Sequence, residues 1–208
     1  MYYINMFLIL FIIWAAIFIA RGSYRSNQAR AKATKNFWER ESQANLVRKA
    51  DISGLDYLSL DLSVLPMSDA AQLPNLKYAL RDLKSLTDCK IINLSMYSNT
   101  DLKSMYGPAN LQELTEYDYN YTKLIRSLNT IGKELYNSGN PSAAKEFLSY
   151  ALSIGSDISE TFTLLATIYV EAGHPQDINL LLKLADGLKT INKDSIINKL
   201  NNIKSNVK

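Results

Sequence analysis

Two consecutive segments set the architecture of this chain: IRSLNTIGKELYNSGNPSAAKEFLSYALSIGSDI at residues 125–158 and SETFTLLATIYVEAGHPQDINLLLKLADGLK at 159–189. Gly139-Asn140-Pro141 in the first segment recurs as Gly173-His174-Pro175 in the second, a shift of 34 positions. At the same shift, seven further positions carry a small or largely apolar residue in both segments: Leu128 with Phe162, Ile131 with Leu165, Gly132 with Ala166, Leu135 with Tyr169, Ala144 with Ile178, Leu148 with Leu182 and Ala151 with Ala185. Agreement at this many positions predicts an internal repeat.

Each segment predicts two antiparallel helices, because an apolar stripe is followed by a Gly turn, a Pro that can open a helix, and a second stripe. Small residues at 132, 144, 151, 166 and 185 let the helices approach closely. With these residues the pattern resembles the tetratricopeptide repeat family, with two repeats in residues 125–189. Two departures are Ser156 and Thr190, which stand where the family usually has a closing Pro. A third is Ile178, which replaces a small residue.

The resemblance implies an α-solenoid whose inner groove, lined by the first helix of each repeat, holds a peptide or partner helix. Nine positions of that groove carry over to this chain: Arg126, Asn129, Lys133, Tyr136, Asn137, Glu160, Thr163, Thr167 and Glu171. The first five are basic and polar, which favours a protein partner with acidic side chains or a C-terminal carboxylate. Ordinary solvated helix residues are the competing interpretation for all nine.

Two repeats alone cannot bury both of their outer faces, so covering helices are expected on either side. Residues 194–203 place Ile196, Ile197, Leu200 and Ile203 at helical spacing and predict a C-terminal capping helix. A long helical stretch that ends at Ser138 is expected to cover the other side. The predicted helical domain therefore spans 116–208.

Residues 51–115 predict a small subdomain that mixes helix with a two-stranded β element. Leu58, Leu60, Leu62 and Val64 alternate with polar residues, which is the period of a strand with one buried face, and residues 90–94 form a second candidate strand. Residues 75–86 predict an amphipathic helix, and residues 98–107 a short one that ends at Gly107 and Pro108. Because an isolated strand pair is only marginally stable, it is expected to pack on helices.

Residues 2–20, YYINMFLILFIIWAAIFIA, form an apolar run in which Asn5 is the only strongly polar side chain. A helix of this length matches a hydrocarbon core of about 30 Å, so we predict a transmembrane helix. The alternative is a cleaved signal peptide, which requires a basic start and a shorter apolar stretch. The start of this chain is uncharged, which favours the retained helix.

Residues 21–50 carry eight Lys and Arg against Glu39 and Glu41, a net charge of +6, whereas 51–208 sum to −3 and the whole chain to +3. Basic flanks normally stay cytoplasmic, so 21–208 are predicted in the cytoplasm with the protein at the cell membrane. A helix is predicted to continue through this segment, which lacks Gly and Pro from residue 23 onward. The flank 21–49 either contacts anionic lipid or serves as a topology signal and solvated stalk.

The residue inventory excludes several classes of chemistry. Cys89 and His174 are the only cysteine and histidine, which rules out an intramolecular disulfide, Cys- or His-rich metal centres and most histidine-based triads. Cys89 is expected to be a small buried residue, and His174 a polar turn residue like Asn140. Glu113, Glu116 and Asp118 could be offered as general acid and base, but they are typical of a solvated helix face.

These observations predict a mainly α, single-pass membrane protein whose helical domain is an interaction scaffold, with no catalytic residue, cofactor or metal. The small net charge and the lack of a basic motif predict no nucleic-acid partner. Two alternatives remain open. One is an organelle import receptor, which combines a similar anchor with the same kind of hairpins. The other is a membrane-surface enzyme with an unrecognised active site.

Overall fold

The computed structural model describes residues 2–206; among the first 25 residues, the described side chains are Phe11, Trp14, Phe18, Arg21 and Tyr24. The chain is mainly helical, which confirms the predicted class. Its helices are α1 Tyr2–Ala44, α2 Met67–Ala71, α3 Lys77–Lys84, α4 Asn99–Tyr106, α5 Leu111–Asn137, α6 Pro141–Ser153, α7 Ser159–Glu171, α8 Ile178–Asp186 and α9 Lys193–Ser205. The chain forms two compact units, the first comprising 1–50 with 99–109 and the second comprising 51–98 with 110–208.

In the first unit, α1 is a single helix of 43 residues, about 65 Å long. This confirms that the helix of the apolar segment continues into the basic segment, although it ends at Ala44 and not at residue 50. Its last turns are joined to α4 by charged side chains. Arg40 pairs with Asp101 at 2.9 Å, and Glu41 pairs with Lys103 and accepts a hydrogen bond from Thr100 at 2.7 Å.

The predicted membrane segment lies largely outside the described side chains. In the part of the chain that the structure describes, no helix is both long enough and apolar enough to span a membrane. The described side chains within residues 2–20 are three aromatic rings. Phe11, Trp14 and Phe18 are 62–68% exposed and stack along one side of α1, with successive ring centroids 6.3 and 5.6 Å apart.

The predicted two-stranded β element is wrong, because residues 2–206 contain no strand. The two segments do lie side by side, since the Leu58 amide donates to the Ile91 carbonyl at 2.8 Å. That bond is the only backbone hydrogen bond between the two segments, which are both among the described residues, and one bond does not form a β ladder. The second segment is also held by α5, since Ile92 donates to the Tyr117 carbonyl at 3.4 Å and Leu94 to the Asp118 carboxylate at 2.7 Å. Leu58, Leu60 and Leu62 still pack against the core, as their spacing predicts, whereas Val64, the fourth residue of the predicted stripe, is exposed.

The core of the second unit lies among the helices from α5 to α9, and α3 also packs against α5. α5 packs against α6, α6 against α7, and α9 against both α7 and α8. The apolar stripes predicted from the repeat are buried in this core. Its largest fully buried side chains include Phe147, Phe162, Leu128, Ile131 and Leu148.

The two turns at the predicted shift have the same backbone geometry. Gly139 and Gly173 adopt φ of 86° and 79°, a left-handed conformation that glycine tolerates best. The amide of the residue after each glycine donates to a carbonyl five residues earlier, Asn140 to Leu135 at 2.9 Å and His174 to Tyr169 at 2.8 Å. Such bonds satisfy carbonyls left free at a helix end.

The predicted capping helix is confirmed as α9, in which Ile196 and Leu200 are fully buried. The helix predicted at 75–86 is observed as a 3-10 turn, Pro74–Leu76, followed by α3, and the short helix predicted at 98–107 is α4. His174 is exposed in its turn, as predicted.

The prediction that Cys89 is buried is wrong. It lies in the turn after α3, where the preceding Leu86 takes the buried position and Cys89 is exposed.

Candidate functional site

The predicted groove residues of α5 lie on one face of the helix. Arg126, Asn129, Lys133 and the pair Tyr136–Asn137 follow each other at three- and four-residue intervals, which places them along a line about 16 Å long. The four residues of α7 have the same spacing from its first turn to its last. We call these nine side chains the α5–α7 face.

The centre of the α5–α7 face is a bonded network. Glu160 accepts one hydrogen bond from the Lys133 ammonium at 2.7 Å and another from the Asn129 amide at 2.8 Å. The side-chain oxygen Oδ1 of Asn129 in turn accepts a hydrogen bond from the Thr161 hydroxyl at 2.8 Å. Asn129 and Thr161 are buried, so these bonds satisfy polar groups that would otherwise be desolvated without a partner. The network fastens the first turn of α7 to the middle of α5.

The far end of the face is joined by a second contact. The Tyr136 hydroxyl donates to the Glu171 carboxylate at 2.7 Å, which raises the pKa of the phenol. Residues 129 and 136 of α5 therefore meet residues 160 and 171 of α7 in the same order along both helices. The two helices run parallel, as the first helices of successive hairpins should.

The ion pair in the network shifts the pKa values of both partners. Hydrogen bonds from Lys133 and Asn129 lower the pKa of Glu160 below its ordinary value of 4.5. The bond to Glu160 raises the pKa of Lys133 above its ordinary 10.5. Both side chains are nearly half exposed, so water screens the pair and its contribution to stability is small.

These shifts predict a pH-dependent stability difference between the wild type and Glu160→Gln. A lowered carboxylate pKa stabilises the fold above the unfolded pKa of Glu160, and the gain is lost as the pH falls through the folded value. The wild-type advantage should therefore be constant between about pH 6 and 9, shrink below about pH 4.5, and shrink again when Lys133 loses its proton above about pH 10.5. Urea unfolding of both proteins across this range measures the difference.

Glu146→Gln provides the control, because Glu146 is exposed and makes no hydrogen bond or ion pair within the described residues. The stability difference between Glu146→Gln and the wild type should not change as the pH falls below about 4.5. Equal pH profiles for the two variants would show that the bonds to Glu160 contribute nothing specific.

Four of the predicted groove residues are not drawn into these contacts. Thr163 and Thr167 bond to carbonyls of their own helix at 3.0–3.2 Å, and Asn137 is exposed at the end of α5. Arg126 is exposed, and its guanidinium has no ion pair within the described residues. It lines a cavity of about 290 Å³ between α3 and α5, beside Lys123. Lys123 is itself bound to Asp82 at 3.2 Å.

Two residues of this region were not predicted from the sequence: Thr161, which bonds to Asn129, and Lys123, which lines the cavity beside Arg126. Thr161 is fully buried, and the residue 34 positions earlier, Ser127, is also buried. A small hydroxyl residue recurring at the repeat interval was a signal that could have marked Thr161. Lys123 lies outside the repeat, and no pattern within 125–189 points to it.

Nothing on this face has the composition of a metal centre. Within the described residues, no group of three or more His, Cys, Asp and Glu side chains could hold a metal ion. Asp118, one of the three acidic residues weighed as a general acid or base, accepts the Leu94 amide and so has a structural contact. The α5–α7 face is suited to hydrogen bonding and charge pairing.

Comparison with protein-family models, curated proteins and solved structures finds no match to this chain. The resemblance to tetratricopeptide repeats therefore stays a prediction that rests on the residues of 125–189.

Proposed function

We propose that this protein is a membrane-anchored interaction scaffold whose α5–α7 face binds a peptide or helix of a partner protein. The proposal is supported by the side-chain hydrogen bonds that hold this face in place between α5 and α7. They join Asn129 and Lys133 to Glu160, and Tyr136 to Glu171. A surface that is already ordered loses little side-chain entropy on binding, which favours association.

Arg126 is the cation of the face that is free to bind a partner. Lys133 is already neutralised by Glu160, so an acidic side chain would have to displace that carboxylate to reach it. Arg126 has no such competitor, and its guanidinium can bind a carboxylate through two parallel hydrogen bonds. The proposed acidic partner therefore pairs first with Arg126, at the start of the face.

The membrane half of the proposal rests on α1. Residues 2–20 are apolar, the helix continues unbroken into the basic flank, and the rings of Phe11, Trp14 and Phe18 are exposed to solvent. Large exposed apolar surface is uncommon on soluble proteins, and lipid would cover it. The basic flank 21–49 would hold the helical domain on the cytoplasmic side.

Arg126→Glu tests whether the α5–α7 face binds an acidic partner protein. Epitope-tagged full-length protein is captured from solubilised membranes, and recovered proteins are quantified for the wild type and the variant. A partner with acidic side chains should be lost several-fold with Arg126→Glu, because the new charge repels it. Recovery should be unchanged with Lys183→Glu, an exposed residue of α8. A set of captured proteins that responds equally to both variants would contradict the proposal.

A further inference from the structure

A second basic surface lies outside the α5–α7 face, between α3 and the segment that precedes it. A groove of about 480 Å³ separates residues 71–74 from α3. It is lined by four apolar residues and three cations: Ala71, Leu73, Pro74, Leu80, Lys77, Arg81 and Lys84. None of the lining residues is acidic. We call this surface the α3 groove.

The three cations form a stripe along α3. Lys77, Arg81 and Lys84 follow each other at four and three residues, so they lie on one side of the helix over about 10 Å. The ammonium groups of Lys77 and Lys84 have no hydrogen bond or ion pair within the described residues. Arg81 lies over the ring of Tyr78 at 5.3 Å and reaches Asp82 only at 4.0 Å.

The helix dipole accounts for only part of this stripe, because Arg81 and Lys84 lie in the last turn of α3, where cations are favourable, whereas Lys77 lies in its first turn. Lys77 and Arg81 are like charges four residues apart, and such pairs destabilise a helix, here one of only eight residues. The nearest carboxylate, Asp82, is taken by Lys123 at 3.2 Å. The positive stripe also stands out because residues 51–208 carry a net charge of −3. The ammonium groups of Lys77 and Lys84 are therefore accessible to a negatively charged partner.

We propose that the α3 groove binds an acidic amphipathic helix of a partner protein. Apolar side chains of that helix would lie on Ala71, Leu73 and Pro74, and carboxylates one turn apart would pair with the three cations. A lipid phosphate fits less well, because it is one compact charge that calls for converging donors, and these cations are spread along the helix beside an apolar floor. The inference goes beyond the proposed function, since the α3 groove shares no residue with the α5–α7 face.

The test uses full-length protein in phosphatidylcholine nanodiscs and a fluorescent synthetic helix with glutamates at i, i+4 and i+7 and leucines beside them. Lys77→Gln with Lys84→Gln should weaken binding of this peptide about tenfold, the effect expected for two pairs at a groove rim. The matched control is Lys183→Gln with Lys189→Gln, which removes two exposed charges elsewhere in the same unit and should leave the affinity unchanged. Circular dichroism checks that both variants keep their helix content.

Three further outcomes would overturn the proposal. The first is a wild-type protein that does not bind the glutamate peptide, or that binds its glutamine counterpart equally well. The second is a loss of affinity that is the same in both double variants. The third is binding of soluble short-chain phosphatidylserine, but not of the peptide, that disappears with Lys77→Gln and Lys84→Gln, which would make the groove a lipid site.

Discussion

Phe147→Ala is expected to lower the free energy of unfolding of the second unit by about 4 kcal/mol. Phe147 is fully buried on α6, which packs against both α5 and α7. Removing the ring loses its transfer free energy and leaves a cavity that the surrounding helices cannot fill without moving. Since both tryptophans, Trp14 and Trp38, belong to the first unit, hydrogen exchange of the α6 and α7 backbone amides is the suitable measurement.

The matched control is Leu184→Ala on α8. Leu184 is half exposed, so its truncation should change the protection of the same amides by less than about 0.5 kcal/mol. A Phe147→Ala effect as small as that of Leu184→Ala would show that α6 is not enclosed between its neighbours as described.

Gly132→Val is expected to lower the free energy of unfolding of the second unit by about 3 kcal/mol. A Cβ atom at position 132 would lie 2.7 Å from both Cγ and Cδ2 of Leu148, which is fully buried. The closely packed core gives Leu148 little room to move, so α5 and α6 would have to separate. The branched valine adds further atoms at the same point. Urea unfolding, followed by the same amide probes, measures the loss.

A double-mutant cycle with Leu148→Ala identifies the cause. If the clash is with Leu148, removing that side chain should make the double variant more stable than the sum of the two single effects predicts, by more than about 1 kcal/mol. Gly54→Ala is the control, because nothing lies within 4 Å of a Cβ added there, and it should be close to neutral. Simple additivity of Gly132→Val and Leu148→Ala would contradict the close approach of α5 and α6.

The helical part of the fold was predictable because its signals are local and periodic. The glycine turns, the apolar stripes and α9 follow from spacing within a few helical turns. The strand pair failed for a non-local reason: alternation correctly placed Leu58, Leu60 and Leu62 toward the core. It could not reveal that a single backbone bond, from the Leu58 amide to the Ile91 carbonyl, would join the two described segments, or that α5 would hold Ile92 and Leu94.

The candidate site was predictable in position but not in bonding. The repeat interval aligned α5 with α7, and the structure brings Asn129, Lys133 and Glu160 together. Sequence spacing treats each of these as a free groove residue. Only the packing of the two helices shows that Glu160 neutralises Lys133, which leaves Arg126 as the unpaired cation of the face.

Site-specific photo-crosslinking shows whether the α5–α7 face of the membrane-bound protein touches a partner protein. A photoreactive amino acid replaces Asn137, which is exposed on this face, or Lys189, which is exposed between α8 and α9. After irradiation of intact membranes and an alkaline wash, we expect a membrane-retained adduct with another protein at 137 and none at 189. Release of the chain by the wash, or equal adducts at both positions, would contradict the proposed function.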